Sequence, residues 1–351
     1  MRNLVFPALR GLAGALLLAL AAPSALAFDR EDERLFGSAS APRVVSVLST
    51  TDIAVFAPLA EAFLAQSPGT ALRYVQATSQ EVHRAIDAEG AGFDLVISSA
   101  MDLQMKLAND GFTRPLPADL VAALPALSRW RDRLVAVAQE PVVLLLARSA
   151  LPQGTALPRS RRDLIALLRD NPAVFTDHIG TYDPAISGAG FLFLTQDARM
   201  SDSIWRLAEV MGRLNARLYC CSGDMIAGLR SGDLVMAYNV LGSYATARLI
   251  PEDDVAVIPL EDFTISLQRT AFIPTRAPAP DLGEALLRFL LSARGQALLA
   301  PGNSMAAITA EVLAAQPYLR PIRLDPGLLA PLDSMTRARF LAEWNAALDQ
   351  P

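Results

Sequence analysis

Between residues 44 and 111 one pattern occurs twice: a short β-branched run, a hydroxyl-rich turn, then apolar residues at helical spacing. The first copy is Val44-Val45-Ser46-Val47-Leu48, then Ser49-Thr50-Thr51-Asp52, then Phe56, Leu59, Ala60, Phe63 and Leu64. The second is Phe93-Asp94-Leu95-Val96-Ile97, then Ser98-Ser99-Ala100-Met101-Asp102, leading into a helix that stops at Asn109-Asp110-Gly111. Between them fall a strand over 72–75 and a polar helix over 79–90 that carries His83. This is the βαβ pattern of a parallel sheet, with helix N-termini at the carboxyl ends of the strands. The spacing of Ser49 and Asp52 predicts a capping box.

Around residue 133 the pattern changes. Residues 134–137 and 142–146 flank Glu140-Pro141 in one long extended segment, suited to crossing between two lobes. Further helices are expected over 162–169, 205–214, 225–229, 282–299 and 304–315, and strands over 179–182, 234–238, 255–258 and 269–273. Residues 28–42 are polar and Gly/Ser-rich and read as a leader onto the fold.

The N-terminus points to export. Arg2 and Arg10 precede an apolar core, Pro23 breaks it, and Ala25-Leu26-Ala27 fits a cleavage site, so 1–27 is expected to be a signal peptide. Charge then removes function classes. The formal net charge of -5 argues against a nucleic-acid partner. Lys106 is the single lysine and follows Met105, so there is no Walker A loop. Two histidines, His83 and His178, leave little room for a multi-histidine metal site. The two cysteines are neighbours, Cys220-Cys221, and read as small apolar residues at a helix approach rather than as a bridge.

Three segments join the two hydroxyl-rich turns as candidate ligand loops. Thr181-Tyr182 ends a strand, Ser187-Gly188-Ala189-Gly190 opens a helix, and Tyr238-Asn239 runs through Ser243-Tyr244 from a strand into a helix. Helix starts of this kind favour anions, through unpaired N–H groups and the helix dipole. Phe193 occupies the last glycine position of a dinucleotide fingerprint, and Ala185 occupies the first glycine position of a nucleophile elbow. His178 beside Asp177 resembles a fragment of a catalytic dyad, with no nucleophile placed by motif.

Together with Leu103-Gln104, Lys106-Leu107, Asp183-Pro184, Val240-Leu241-Gly242 and Ala245, these stretches resemble the periplasmic solute-binding proteins of bacterial ABC-type transport systems. Leu290-Leu291-Ser292 with Gly295-Gln296 extends the likeness, which spans roughly residues 43–315. Within that group the chain is similar to the ferric-iron-type branch and, inside it, to the phosphoglycerate transport regulatory proteins. The resemblance implies an α/β, two-lobed type 2 periplasmic binding protein fold with mixed, mainly parallel sheets and an interlobe cleft. It implies lobe 1 from 43–135 and 260–351 and lobe 2 from 136–259. It implies ligand contacts from Ser49, Thr50, Thr51, Ser98, Ser99, Ala100, Thr181, Tyr182, Ser187, Gly188, Tyr238, Asn239, Ser243 and Tyr244.

The function so implied is non-enzymatic: a periplasmic, monomeric receptor that captures a small anionic solute, phosphorylated or carboxylated, without cofactor or metal. Its partner is an inner-membrane permease or a sensor kinase. A ferric-iron receptor is the alternative, but Val240-Leu241 stands where ferric binders carry paired tyrosines, and no histidine lies near Ser49. An exported hydrolase using Ser187 or His178 is the second alternative.

Overall fold

The structure, a computed structural model, describes residues 28–299 and 314–350. The expected signal peptide lies outside the described residues, as does nearly all of the helix expected over 304–315.

The first half runs β1 (Asp32–Phe36), β2 (Arg43–Ser49), α1 (Ile53–Ala65), β3 (Thr70–Gln76), α2 (Ser79–Asp87), β4 (Leu95–Ser98), α3 (Met101–Asn109) and α4 (Ala118–Ala122). A short β5 (Arg129–Trp130) precedes the long β6 (Leu134–Ala147). Then follow α5 (Arg161–Asp170), α6 (Pro172–Phe175), β7 (Ile179–Tyr182), α7 (Gly188–Met200), α8 (Ser203–Arg213), β8 (Arg217–Tyr219), α9 (Ser222–Ser231), β9 (Met236–Leu241), α10 (Gly242–Arg248) and β10 (Val255–Ile258). β11 (Thr264–Phe272), α11 (Pro280–Leu291), α12 (Ala293–Leu299), β12 (Leu319–Pro321) and a C-terminal helix (Ser334–Leu348) complete the chain.

The strand order is β1-β3-β2-β4-β11-β6-β9-β7-β8. The sheet is mixed. β2 pairs in parallel with β3 and β4, and β7 with β8 and β9; the β4-β11-β6-β9 stretch between them is antiparallel. Each parallel patch is the base of one lobe. β6 serves both: its first part pairs with β11, up to Pro141 opposite Ser266, and from Val142 onward it pairs with β9. Proline offers no N–H to a ladder, so the change of partner falls where a ladder bond is already missing. All of β6 except Pro141 is buried, which explains its near-continuous apolar run.

Three expectations need correction. Residues 32–36 of the supposed leader are a strand, pairing antiparallel with β3 at the sheet edge. The helix expected over 282–299 is two, because the Ser292 hydroxyl accepts from the Gly295 N–H and starts α12 afresh. The C-terminal helix packs on α8 of the second lobe rather than with lobe 1. Trp344 is fully buried there, and Leu348 lies so close to Gly212 that a β-carbon would collide with its carbonyl oxygen.

The expected capping box at Ser49 and Asp52 is also absent. Ser49 accepts from the Thr51 N–H and Ser98 from the Ala100 N–H, each closing a local turn instead of a cap. Asp102 lies inside α3, buried, with one oxygen on the Leu103 N–H. Burial pushes its carboxyl up to about 7. The folded chain therefore holds a proton that the unfolded chain releases above about pH 4. The stability that this proton confers is complete below that pH and is lost as pH rises through about 7. Asp102→Asn should remove the loss, with a gain of roughly 2–4 kcal/mol at pH 8 and little change at pH 4. Urea unfolding at both pH values checks this.

Candidate functional site

A cleft of about 340 Å³ opens between the two lobes, a size typical of small-molecule sites. Its walls are strand ends and helix starts. Lobe 1 supplies Thr50 after β2, Gln76 at the end of β3, Thr78 and Ser79 at the start of α2, and Ser99 after β4. Lobe 2 supplies Tyr182 at the end of β7, Ser187 before α7, residues 220–224 from the β8–α9 link and the first turn of α9, and Tyr244 and Arg248 on α10.

Two contacts span the lobes at this level. The Tyr244 hydroxyl donates to the Thr50 carbonyl at 2.9 Å, and the Arg248 guanidinium pairs with Asp52. The lobes also touch at Gly188, where a β-carbon would come within 2.7 Å of Ser79 Oγ and 2.8 Å of Leu103 Cδ1. Hydroxyls pair across the floor: Tyr182 with Ser222 at 2.6 Å, and Thr50 with Ser99 at 3.3 Å. Burial pushes both phenols, Tyr182 and Tyr244, well above their ordinary range, so both stay neutral.

Charge in the cleft is mixed. Glu31, Asp52 and Asp224 line it opposite Arg248. Burial raises the Glu31 carboxyl; the Gln76 hydrogen bond opposes that rise, and the nearby charges of Asp52 and Asp224 add to it. Against these carboxylates stand the N-termini of α2, α7 and α9. The α9 start is the least occupied, because its cap residue Cys221 makes no side-chain hydrogen bond to it. Arg248 lies over that start: a β-carbon on Gly223 would meet Arg248 Nη1 at 2.6 Å.

The structure also corrects the reading of the cysteines. Cys220 and Cys221 form a disulfide on the cleft wall. With Asp224 they group three donor atoms within 4.8 Å, but a disulfide has no thiolate to offer a metal. A bridge between neighbours closes no chain loop, so it removes little entropy from the unfolded state. Replacing both cysteines by serine should shift the unfolding free energy by about 1 kcal/mol or less, measured in urea without reductant.

Of the residues expected at the site, Thr50, Ser99, Tyr182, Ser187 and Tyr244 meet at the cleft, and Gly188 lies just behind it. The others do not. Ser49 and Ser98 close their turns, and Thr51 accepts from buried Arg269 at 2.6 Å. Ala100 and Thr181 are fully buried. Tyr238 accepts from Arg161 at 2.8 Å and donates to Asp197 at 2.9 Å, and Asn239 donates to Asp197 at 2.8 Å; both side chains are consumed in a buried network. The Ser243 N–H donates to Glu140 at 3.3 Å. Successive side chains of an extended segment alternate in direction, so only the middle residue of Ser49-Thr50-Thr51 faces the cleft.

Sequence reasoning missed Glu31, Gln76, Ser79, Ser222, Asp224 and Arg248. Arg248 left a trace: it follows Tyr244 by four residues, one helical turn along the same face. Glu31 left none, because it precedes an edge strand read as leader.

The fold and this cleft define a two-lobed binding protein with a small-solute site at the lobe junction. The profile of the bacterial extracellular solute-binding protein family matches residues 45–301, and the chain belongs to that family. A solved relative, the substrate binding protein of the ABC transporter from Agrobacterium tumefaciens, is 30% identical at a TM-score of 0.84, covering 90% of this chain and 98% of its own. The chain is thus a solute-binding protein of bacterial ABC-type transport.

More distant structures share the fold. AfuA from Actinobacillus pleuropneumoniae, bound to fructose-6-phosphate, is 14% identical at a TM-score of 0.70, covering 88% of this chain and 100% of its own. Iron-bound HitA from Pseudomonas aeruginosa is 16% identical at a TM-score of 0.63, covering 87% and 99%. No curated protein sequence matches the chain.

Proposed function

We propose that this chain is an exported, non-enzymatic receptor that takes up a small organic anion carrying hydroxyl or amino groups and passes it to an inner-membrane permease. The observation that carries this reading is the convergence of three helix N-termini, α2, α7 and α9, with Arg248 at one cleft. Helix starts and a guanidinium hold a phosphate or carboxylate. Glu31 and Asp224, which would repel a bare anion, accept hydrogen bonds from the hydroxyl or amino groups of the same solute. Fructose-6-phosphate in the similar AfuA fold is a ligand of this chemistry.

Ferric iron fits less well. It wants several ionised oxygen ligands, and burial keeps the cleft tyrosines protonated. Ser187 acts as the cap of α7, accepting from the Gly190 N–H at 3.1 Å, which supports a binding role over a nucleophilic one. Capture proceeds by population shift. A solute that touches both walls binds only where the lobes meet, and so draws the chain into that state. The closed form is what a permease, or a sensor kinase, would recognise. Export through the 1–27 segment to the periplasm and a monomeric state belong to the same reading.

Thermal unfolding against phosphoglycerates, sugar phosphates, di- and tricarboxylates and ferric citrate tests it. Ligand at about 100 times its Kd stabilises by about 2.7 kcal/mol. Stabilisation by one organic-anion class, lost in Ser187→Ala and Ser99→Ala, is the expected outcome. Stabilisation by iron alone, or hydrolysis of a bound ester, would overturn the proposal.

A further inference from the structure

Behind the cleft, past Gly188, lies a second pocket of about 180 Å³. Its walls come from both lobes: α2 and α3 on one side, α7 and the entry to the C-terminal helix on the other. Four ionisable side chains line it, and the fold leaves them underused. Asp102 is 2% exposed, with one oxygen on the Leu103 N–H at 2.9 Å and no ion pair among the described residues. His83 Nε2 is buried without a hydrogen-bond partner among the described residues. Arg337 gives one N–H to the Ala185 carbonyl at 3.2 Å and lies 5.3 Å from the centre of the Phe191 ring. Lys106 stands at the edge, its ammonium on Asp110.

A guanidinium with spare N–H groups in a recess is suited to a planar or tetrahedral oxyanion. A buried carboxyl without a cation is costly as an anion, but once protonated it becomes a hydrogen-bond donor. We propose that this pocket is a second binding site, for a small oxyanion gripped by Arg337, with the Asp102 carboxyl donating its proton to the ion in a hydrogen bond. Below about pH 7 the acid already carries that proton, and above it binding takes up one proton at Asp102, because the incoming negative charge favours the neutral acid.

The surrounding charges are few. On α3 they are Lys106 and Asp110, which pair with each other. On α2 they are His83, which burial keeps below its ordinary value, and Asp87, while Glu81 and Arg84 pair with each other. At the C-terminal helix they are Arg337 and Asp333, the latter spent on the cap N–H groups of Met335 and Thr336. α7 brings no titratable residue over 188–196. The window near pH 7 therefore belongs to Asp102, and His83 would change charge below it.

Inorganic sulfate is the probe, because its own charge is constant between pH 6 and 8.5. Calorimetric titration of the purified chain should show sulfate binding that weakens as pH rises through about 7, approaching tenfold per pH unit above it. Arg337→Ala should lose the binding. Asp102→Asn should keep it and lose the pH dependence. Arg248→Ala, at the cleft, should leave the Arg337-dependent, pH-sensitive component of sulfate binding intact, which separates this site from the solute site and its failure from that of the receptor reading. The proposal is overturned if sulfate does not bind, if Arg337→Ala binds it as the wild type does, or if Asp102→Asn keeps the pH profile.

Discussion

Replacing Glu140 by glutamine should lower the unfolding free energy by about 3–5 kcal/mol, a large share of the stability of any domain. Glu140 is fully buried and Arg269 is 2% exposed, and they meet at 2.7 Å. Arg269 continues to Thr51 at 2.6 Å, and the other Glu140 oxygen accepts from the Ser243 N–H at 3.3 Å. The pair thus ties β6 and β11 to the turn after β2 and to the start of α10. Glutamine keeps the shape but leaves the guanidinium in the interior without a counter-charge. Attraction in a well-packed pair only offsets the cost of removing both charges from water, so the damage comes from breaking the pair. The double variant Glu140→Leu with Arg269→Met should recover most of the loss. Urea midpoints of the wild type and the two variants decide it: a Glu140→Gln variant within about 1 kcal/mol of wild type would show that water reaches Arg269 and replaces the carboxylate.

Arg248→Ala should weaken binding of the anionic solute by about ten- to a hundredfold. Hydrogen bonds to charged groups contribute about 1.5–3 kcal/mol each, and 1.4 kcal/mol is tenfold in affinity. The structure adds a second, opposite expectation. Arg248 is already paired with Asp52 across the cleft, so an anion must compete with that carboxylate. Asp52→Asn should therefore tighten binding of an anion, whereas a cationic solute would bind the same variant more weakly. The sign of the Asp52→Asn effect, read by calorimetry with whichever solute stabilises the chain, distinguishes the two. Arg248 is partly exposed, and its loss should leave folding intact.

Much of the fold could be read along the chain, for reasons visible in particular elements. β2, buried toward its carboxyl end, and the fully buried β4 are short apolar runs that enter helices through polar turns, and the sequence places their ends within a residue or two. β6 announced itself as an apolar run too long for one lobe. The elements that escaped carry weak apolar signals. β1 has four exposed residues of five, as suits a charged edge strand. The C-terminal helix buries only Trp344 and Ala347 along its length, so no clear stripe marks it.

The site was legible only in part. Local order along the chain determined where strands stop and helices begin, and in a parallel sheet those stops lie along one edge, where solutes bind. That much put Thr50, Ser99, Tyr182, Ser187 and Tyr244 on the candidate surface. Tertiary structure alone decided which hydroxyls face the cleft and which seal turns, because pleat and packing choose the direction of each side chain. It alone brought Glu31, Asp224 and Arg248 together from distant parts of the chain, and it buried Tyr238 against Arg161 and Asp197. Periodicity reports a residue's own element; charge balance in a cleft depends on contacts between elements, which no local pattern encodes.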